Sequence, residues 1–341
     1  MRALRLVKEE QLEFGEMPDP PAPGAHEVLV RVRAVSLNHI DLFGLRGMAF
    51  AKRKLPLVVG VECSATVERP GAAVSGFREG DNVVVYPGLF CGACPACKAG
   101  RENLCESISG IMGFHIDGMA RERLVVPANR LIPVPSLVSP VDAACTTVTF
   151  GTVQHMLFDN AKLQRGETIL VHAGGSGIGT AAIKMSKLAG ATVITTVGSA
   201  DKIAKAKALG ADHVINYREE RFEGAVRKIT GKKGVDVVFE HVGPDTWAGS
   251  LLSLKRGGRL VTCGSTSGIS AETNLYAIFQ QQLRIIGSFG STVQNCKDSL
   301  QKMAAGLKPV IDTLIKLEDF PTAIERLRGR DVFGKIVARL D

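Results

Sequence analysis

The chain has 341 residues, 45% of them hydrophobic and 22% charged, which is enough for two domains with separate cores. A net charge of +8 and a pI near 9.1 fit an anionic small ligand. Nucleic-acid binding is not expected, since Lys and Arg are spread along the chain, aromatics are 5% and there is no basic tail. No apolar run nears the ~20 residues of a membrane span, and "MRALRLVKEEQLEFGE" breaks into charges too early for a secretory signal, so the expected compartment is the cytoplasm.

Residues 1–147 read as β-rich: "EVLVRVRAVSL", "CSATVERPG" and "DNVVVYPG" are short apolar runs punctuated by Gly and Pro, the pattern of a small barrel. Within this half, "CGACPACKAGRENLC" (91–105) holds Cys91, Cys94, Cys97 and Cys105. Four thiols so spaced in a reducing compartment match a tetrahedral zinc shell, with Gly92 and Pro95 supplying tight turns. A shell of four cysteines leaves no open position, so this zinc, one per chain, is expected to be a structural staple. Iron–sulfur binding and a redox pair are the alternatives. Cys63, Cys145, Cys263 and Cys296 are scattered and are expected to be packed as small hydrophobes.

From 148 to 288 the rhythm becomes strand then helix: "ETILVHAG", "GIGTAAIKMSKLAG", "ATVITTVG", "ADKIAKAKALGA", "HVINY", "VDVVFEHVG", "GRLVTCGS" and "LRIIGSFG". Such alternation predicts parallel βαβ units in a doubly wound α/β domain. Gly174, Gly175, Ser176, Gly177, Ile178 and Gly179 lie between a strand and a helix, where a dinucleotide's pyrophosphate needs close backbone approach and a helix N-terminus. Residue 176 departs from the strict G-x-G-x-x-G frame, so the motif draws its weight from this context.

The second strand ends at Val197 and Gly198 with no acid to bond a ribose 2′-hydroxyl; Ser199 and Lys202 follow instead and suit a 2′-phosphate, hence NADP(H). Asp201 is expected to cap the next helix. Residues 289–341 carry two helices and a last strand, "GKIVARLD", assigned back to the first domain.

Barrel, four-cysteine lobe and nucleotide domain in this order resemble the medium-chain dehydrogenase/reductase superfamily along essentially the whole chain. "VEC" after "LPLVVG", "GLFCGACPACKAGRENLC", "GGSGIG" and "KALGADHVINY" carry the likeness. It implies a GroES-like β-barrel catalytic domain plus a doubly wound Rossmann domain. It also implies a small-molecule substrate, a homodimer formed through the Rossmann sheet edge, and a second, catalytic zinc in the alcohol dehydrogenase branch.

That zinc's ligands would fall at Asn38, Val61 and a position near Val148, and valine cannot bind a metal. The pattern instead looks like the zinc-free branch, in which NADPH delivers hydride to an activated C=C (enone or enoyl thioester) or a quinone.

By that resemblance Asn38 is expected to donate to the substrate carbonyl, Asp41 to orient its segment, and Glu62 to match the glutamate beside the family's histidine. Phe43 stands where quinone reductases often carry tyrosine, leaving solvent or His39 as the proton source; His39 is equally placed to reach the cofactor pyrophosphate. Thr152, Tyr217, Val242, Gly264 and Ser265 match family positions around the nicotinamide or the 2′-phosphate. "EHVG" resembles the "EHPG" of crotonyl-CoA carboxylase/reductases, although His241 also reads as an ordinary strand-end residue.

His155 and His172 are expected to be packed or to lie beside the cofactor, without a chemical role, and Lys52, Arg53 and Lys54 to solvate their loop or to meet a phosphorylated substrate. Two further readings remain open: an alcohol dehydrogenase using atypical ligands such as Glu62 with Asn38, and a nucleotide- or RNA-binding protein without turnover.

Overall fold

The computed structural model describes residues 1–47 and 53–340; Lys52 lies outside them. The chain divides into two compact units, Met1–Gly151 with Ser291–Asp341, and Thr152–Gly290. The borders expected from sequence, 147 and 288, lie a few residues before these.

In chain order the first unit contributes β1 (Arg2–Lys8), β2 (Gln11–Glu16), β3 (Glu27–Ser36), β4 (Leu57–Val58), β5 (Cys63–Pro70), β6 (Asn82–Val85), β7 (Arg123–Pro127) and β8 (Leu131–Pro133). The second unit holds β9 (Thr168–Val171), β10 (Thr192–Val197), β11 (His213–Asn216), β12 (Val235–Glu240), β13 (Leu254–Thr262) and β14 (Arg284–Gly287). The chain then returns to the first unit with β15 (Ile311–Lys316) and β16 (Lys335–Arg339).

The main sheet of the first unit runs β15-β16-β3-β5-β6-β8, with β7 paired to β3 and a smaller sheet β2-β1-β4 beside it. In β3 the alternating Val28, Val30 and Val32 face a core shared with Leu4, Leu124, Phe320 and Ile336, while Arg31 stays exposed; this period of two is what the sequence displayed. β16 pairs antiparallel with β3, Val337 opposite Ser36, which brings Lys335 to the end of β3.

The second unit is one parallel sheet, β11-β10-β9-β12-β13-β14, the doubly wound order with its switch between β9 and β12. The central strands β9, β10 and β12 are buried on both faces, as their unbroken Val/Ile/Leu runs require. Helices Phe222–Ile229, Pro244–Ser253 and Leu275–Gln281 and strand β15 are elements the sequence reading did not separate. Among the described residues no helix is long and apolar enough to cross a membrane.

Candidate active site

In the first unit, three segments meet around Glu62, which is fully buried. The first is the turn from β3 into the helix His39–Arg46, where Asp41 Oδ2 accepts from the Asn38 backbone N–H at 2.7 Å and fixes the helix start. The second is the wide π turn Thr146–Phe150, whose leading N–H groups have no partner within the turn; those of Val148 (2.6 Å) and Thr149 (2.8 Å) go to Glu62 Oε1. The third is the start of β16, where Lys335 Nζ donates to Leu37 O at 2.6 Å, Asn38 Oδ1 at 2.7 Å and Glu62 Oε2 at 3.5 Å.

The Asn38 amide is fully engaged. Its Nδ2 donates to Ser36 O and to Glu62 Oε2, both at 3.0 Å, and its Oδ1 also lies 3.2 Å from Thr149 Oγ1. The expectation of a free donor for a substrate carbonyl is thereby narrowed, because one of these bonds must open first. Burial pushes the Asp41 carboxyl up to about 7, against the Asn38 N–H and the charge of Lys335, and its Oδ1 has no hydrogen-bond partner. His39 opens the helix and is half-buried, as is Phe43; Val61 is buried. Arg53, expected in a solvated loop, instead donates to the carbonyls of Gly44 and Leu45 at that helix's C-terminal end.

In the second unit, the nucleotide loop leaves β9 through Ala173, whose φ is +47°. A Cβ added at Gly174 would strike Thr195 Oγ1, and one at Gly179 would strike the carbonyl of Ala173, so both glycines are required by close approach. Ser176, the departure from the strict motif, is the N-cap of helix Gly177–Leu188, its Oγ accepting from Gly179 N at 2.9 Å.

At the end of β10 a Cβ on Gly198 would strike the Tyr217 hydroxyl, which places Tyr217 beside Ser199. Ser199, not Asp201, holds the N-cap place of helix Ala200–Ala208; Asp201 sits inside the first turn, where a bond from Ser199 and the charge of Lys205 lower its pKa, and this corrects the capping expectation. Lys202 is half-buried one residue further on.

Thr152 is buried; Gly264 abuts the His241 carbonyl too closely for a Cβ, and Ser265 is exposed. Val242 and Gly243 donate backbone N–H to Glu240 Oε1 at 2.7 and 3.2 Å. Thr246 (2.8 Å) and Ser250 (2.7 Å) donate to Oε2.

From there a buried chain runs back to the nucleotide loop. His172 Nε2 lies 2.9 Å from Ser250 Oγ, and its Nδ1 lies 3.3 Å from Thr196 Oγ1, which accepts from Ala173 N at 3.1 Å. Burial holds His172 down to about 4, so it is neutral at pH 7 and the hydroxyls set its tautomer. Burial alone would raise Glu240; the hydrogen bonds from Ser250, Val242 and Thr246 bring it below the usual carboxylate range. His172 is therefore a buried strut between the turn after β9 and the helix Pro244–Ser253.

The cysteine lobe has its four sulfurs within 4.8 Å of one another, with Cys91–Cys97 and Cys94–Cys105 both at 4.0 Å. A tetrahedron with Zn–S bonds of about 2.3 Å has edges of about 3.8 Å, so the cluster is already near zinc dimensions. Backbone N–H groups of Ala93 and Cys94 point at Cys91 Sγ and lower it to about 6; the N–H of Cys97 points at Cys94 Sγ and lowers that thiol below its ordinary value. Burial pushes Cys63, Cys145, Cys263 and Cys296 up to about 12, as inert thiols should be.

Two family signatures match the chain, "Alcohol dehydrogenase GroES-like domain" over residues 24–136 and "Zinc-binding dehydrogenase" over 177–305. An acryloyl-coenzyme A reductase of Sulfurisphaera tokodaii is 30% identical over 326 residues, 95% of each chain. An NAD-dependent alcohol dehydrogenase of Saccharolobus solfataricus is 31% identical over 350 residues, 99% of each. A solved structure of an NAD-dependent alcohol dehydrogenase superposes with a TM-score of 0.94 at 38% identity, covering all of both chains. The chain belongs to the medium-chain dehydrogenase/reductase family. As a family member it is an oxidoreductase and takes a nicotinamide cofactor.

For this family member the two expected metals part company. The cysteine lobe fits zinc in ligand type, number and spacing. The place of a catalytic zinc does not fit: Val61 is an apolar side chain, Val148 offers an N–H donor, and the oxygens of Asn38 and Glu62 already accept from Lys335 and Thr149. Lys335 and Thr149 are the residues sequence reasoning missed; the available signal was a lysine heading an otherwise apolar strand, "GKIVA".

Proposed function

We propose that this chain is an NADPH-dependent reductase of activated C=C bonds, in enones or enoyl thioesters, or of quinones, with one structural zinc and no catalytic metal. The observation that carries the reading is the ammonium of Lys335 on the oxygens of Asn38 and Glu62, where a Lewis acid would need ligands. Alkoxide chemistry loses its electrophile there, while reduction of a conjugated acceptor needs only hydrogen-bond donors at the developing enolate oxygen and a proton for the neighbouring carbon.

Bound NADPH supplies the hydride. Asn38, whose Oδ1 is polarised by Lys335, presents the amide N–H that meets the substrate oxygen once its bond to Ser36 O opens. Asp41 holds the Asn38 backbone in place, and solvent or His39 provides the proton. Gly174, Gly175, Ser176, Gly177 and Ile178 receive the pyrophosphate; Thr152, Val242, Gly264 and Ser265 flank the nicotinamide half. Ser199, Lys202 and Tyr217 take the 2′-phosphate. Cys91, Cys94, Cys97 and Cys105 hold the zinc that fixes the lobe.

The acryloyl-coenzyme A reductase relative supports an enoyl thioester, and the alcohol dehydrogenase relatives keep a second reading alive. Metal counting separates them. About one zinc per chain, with NADPH oxidation by enones, enoyl thioesters or quinones surviving mild chelation, supports the proposal; two zincs with activity lost on chelation would sink it.

Lys202→Ala should raise the Michaelis constant for NADPH about 10-fold, the loss of one charge-assisted bond, and leave that for NADH nearly unchanged; equal effects on both would remove the 2′-phosphate assignment. A homodimer would form at the open edge of β14, beside the exposed Leu275, Tyr276 and Phe279, by strand pairing with a second copy. Scattering mass in solution checks it.

A further inference from the structure

Lys335 is 4% exposed, and an ammonium so placed is stable only where its hydrogens all find acceptors. Three oxygens are ready: one main-chain carbonyl (Leu37), one amide oxygen (Asn38) and one carboxylate oxygen (Glu62). The acceptors are crowded in return. Asn38 Oδ1 faces two donors, Lys335 and Thr149. Glu62 Oε1 accepts from two N–H groups, and its Oε2 faces Asn38 Nδ2, Thr149 Oγ1 and Lys335 Nζ. The Thr149 hydroxyl has one hydrogen; with it on Asn38 Oδ1, the four donors left on Glu62 fill its roughly four lone-pair sites, and removing Lys335 would free one of them.

We infer that Lys335 is a resident cation and the positioning residue of this site: its ammonium neutralises Glu62, fixes the Asn38 amide, and occupies the oxygens a divalent ion would have to ligate. This deepens the metal-free reading above and rests on it. The same geometry says what removing the ammonium would expose. A carboxylate, an amide oxygen and a backbone carbonyl form a hard oxygen set, suited to Mn²⁺ or Mg²⁺ rather than zinc. Arginine cannot replace the lysine, because a planar guanidinium does not direct three hydrogens from one nitrogen at three converging oxygens.

The test uses the full chain with its cysteine lobe zinc-loaded, as wild type, Lys335→Met, Lys335→Arg and Lys335→Met with Glu62→Gln. Mn²⁺ binding is followed by electron paramagnetic resonance, and turnover by NADPH oxidation with an enone. Wild type and Lys335→Arg should take up no Mn²⁺ at this site, Lys335→Met should gain about one Mn²⁺ per chain, and the double variant should lose it again.

A displaced Asn38 should lower kcat about 100-fold in Lys335→Met and in Lys335→Arg. The Michaelis constant for NADPH should move less than about threefold, a split that general unfolding would not give. Wild-type kcat in Lys335→Arg, equal Mn²⁺ uptake by wild type and Lys335→Met, or uptake persisting in the double variant would each overturn the inference. If Lys335→Met does not fold, the kcat of Lys335→Arg still decides it. Failure of the reductase reading looks different: no wild-type turnover with any acceptor, while the Mn²⁺ measurements still report on Lys335.

Discussion

Among the described residues, Glu62 in the first unit and Glu240 in the second are carboxylates with no exposed surface, and the two are kept in different ways. Glu62 has a fixed cation, Lys335, and gathers donors from three separate segments of chain. Glu240 has a neutral histidine and is held by two backbone N–H groups and two hydroxyls, all from the turn after β12 and the helix that follows it. A buried anion therefore does not require a cation, provided that dipoles point at it from a short, rigid stretch of backbone. Where the donors come from distant segments, as around Glu62, a charge joins them.

This contrast can be broken by experiment. Glu62→Gln strands the Lys335 ammonium and should destabilise the chain by about 3–5 kcal/mol. Glu240→Gln strands no cation and should cost only about 1–3 kcal/mol, from donors left facing an amide N–H₂. Chemical denaturation of both variants measures the difference, and equal losses would mean the cation is incidental.

Protonation sharpens the comparison, because the two clusters pull in opposite directions. His172 takes up a proton near 6.5 when unfolded but only near 4 when folded, so stability falls as the pH drops from 6.5 to 4. Asp41 releases its proton near 3.8 when unfolded but near 7 when folded, so stability falls as the pH rises from 3.8 to 7. Each slope is at most about 1.4 kcal/mol per pH unit. His172→Asn should remove the rise in stability between about pH 4 and 6.5, and Asp41→Asn the fall between about pH 3.8 and 7; unchanged profiles would refute the assignments. The smallest effect expected is Ser176→Ala, which removes a helix cap worth about 1 kcal/mol and should lower the thermal midpoint slightly without changing the pH profile.

Much of this was legible in the residues. The cysteine spacing announced a four-sulfur cluster and the apolar runs announced β9 to β14, while valine at 61 and 148 carried the expectation of no catalytic zinc, which metal counting tests. Local patterns show local structure. Lys335 was not legible as a site residue, because its partner Asn38 lies 297 positions away and only the pairing of β16 with β3 joins them. The link between His172 and Glu240 was not legible, because each side chain is completed by hydroxyls from other elements. Asp201 was misplaced because serine and aspartate both favour helix starts, and only the backbone decides which one is the cap.

The second unit is spliced into the sequence of the first. During synthesis, at about 5–20 residues per second, roughly 15–60 s separate the appearance of Asn38 from that of Lys335, and the whole nucleotide domain is made in the interval. Until then Glu62 has no ammonium to meet. Every other donor to Glu62 is therefore made before the second unit, and the ammonium that completes the set is made after it.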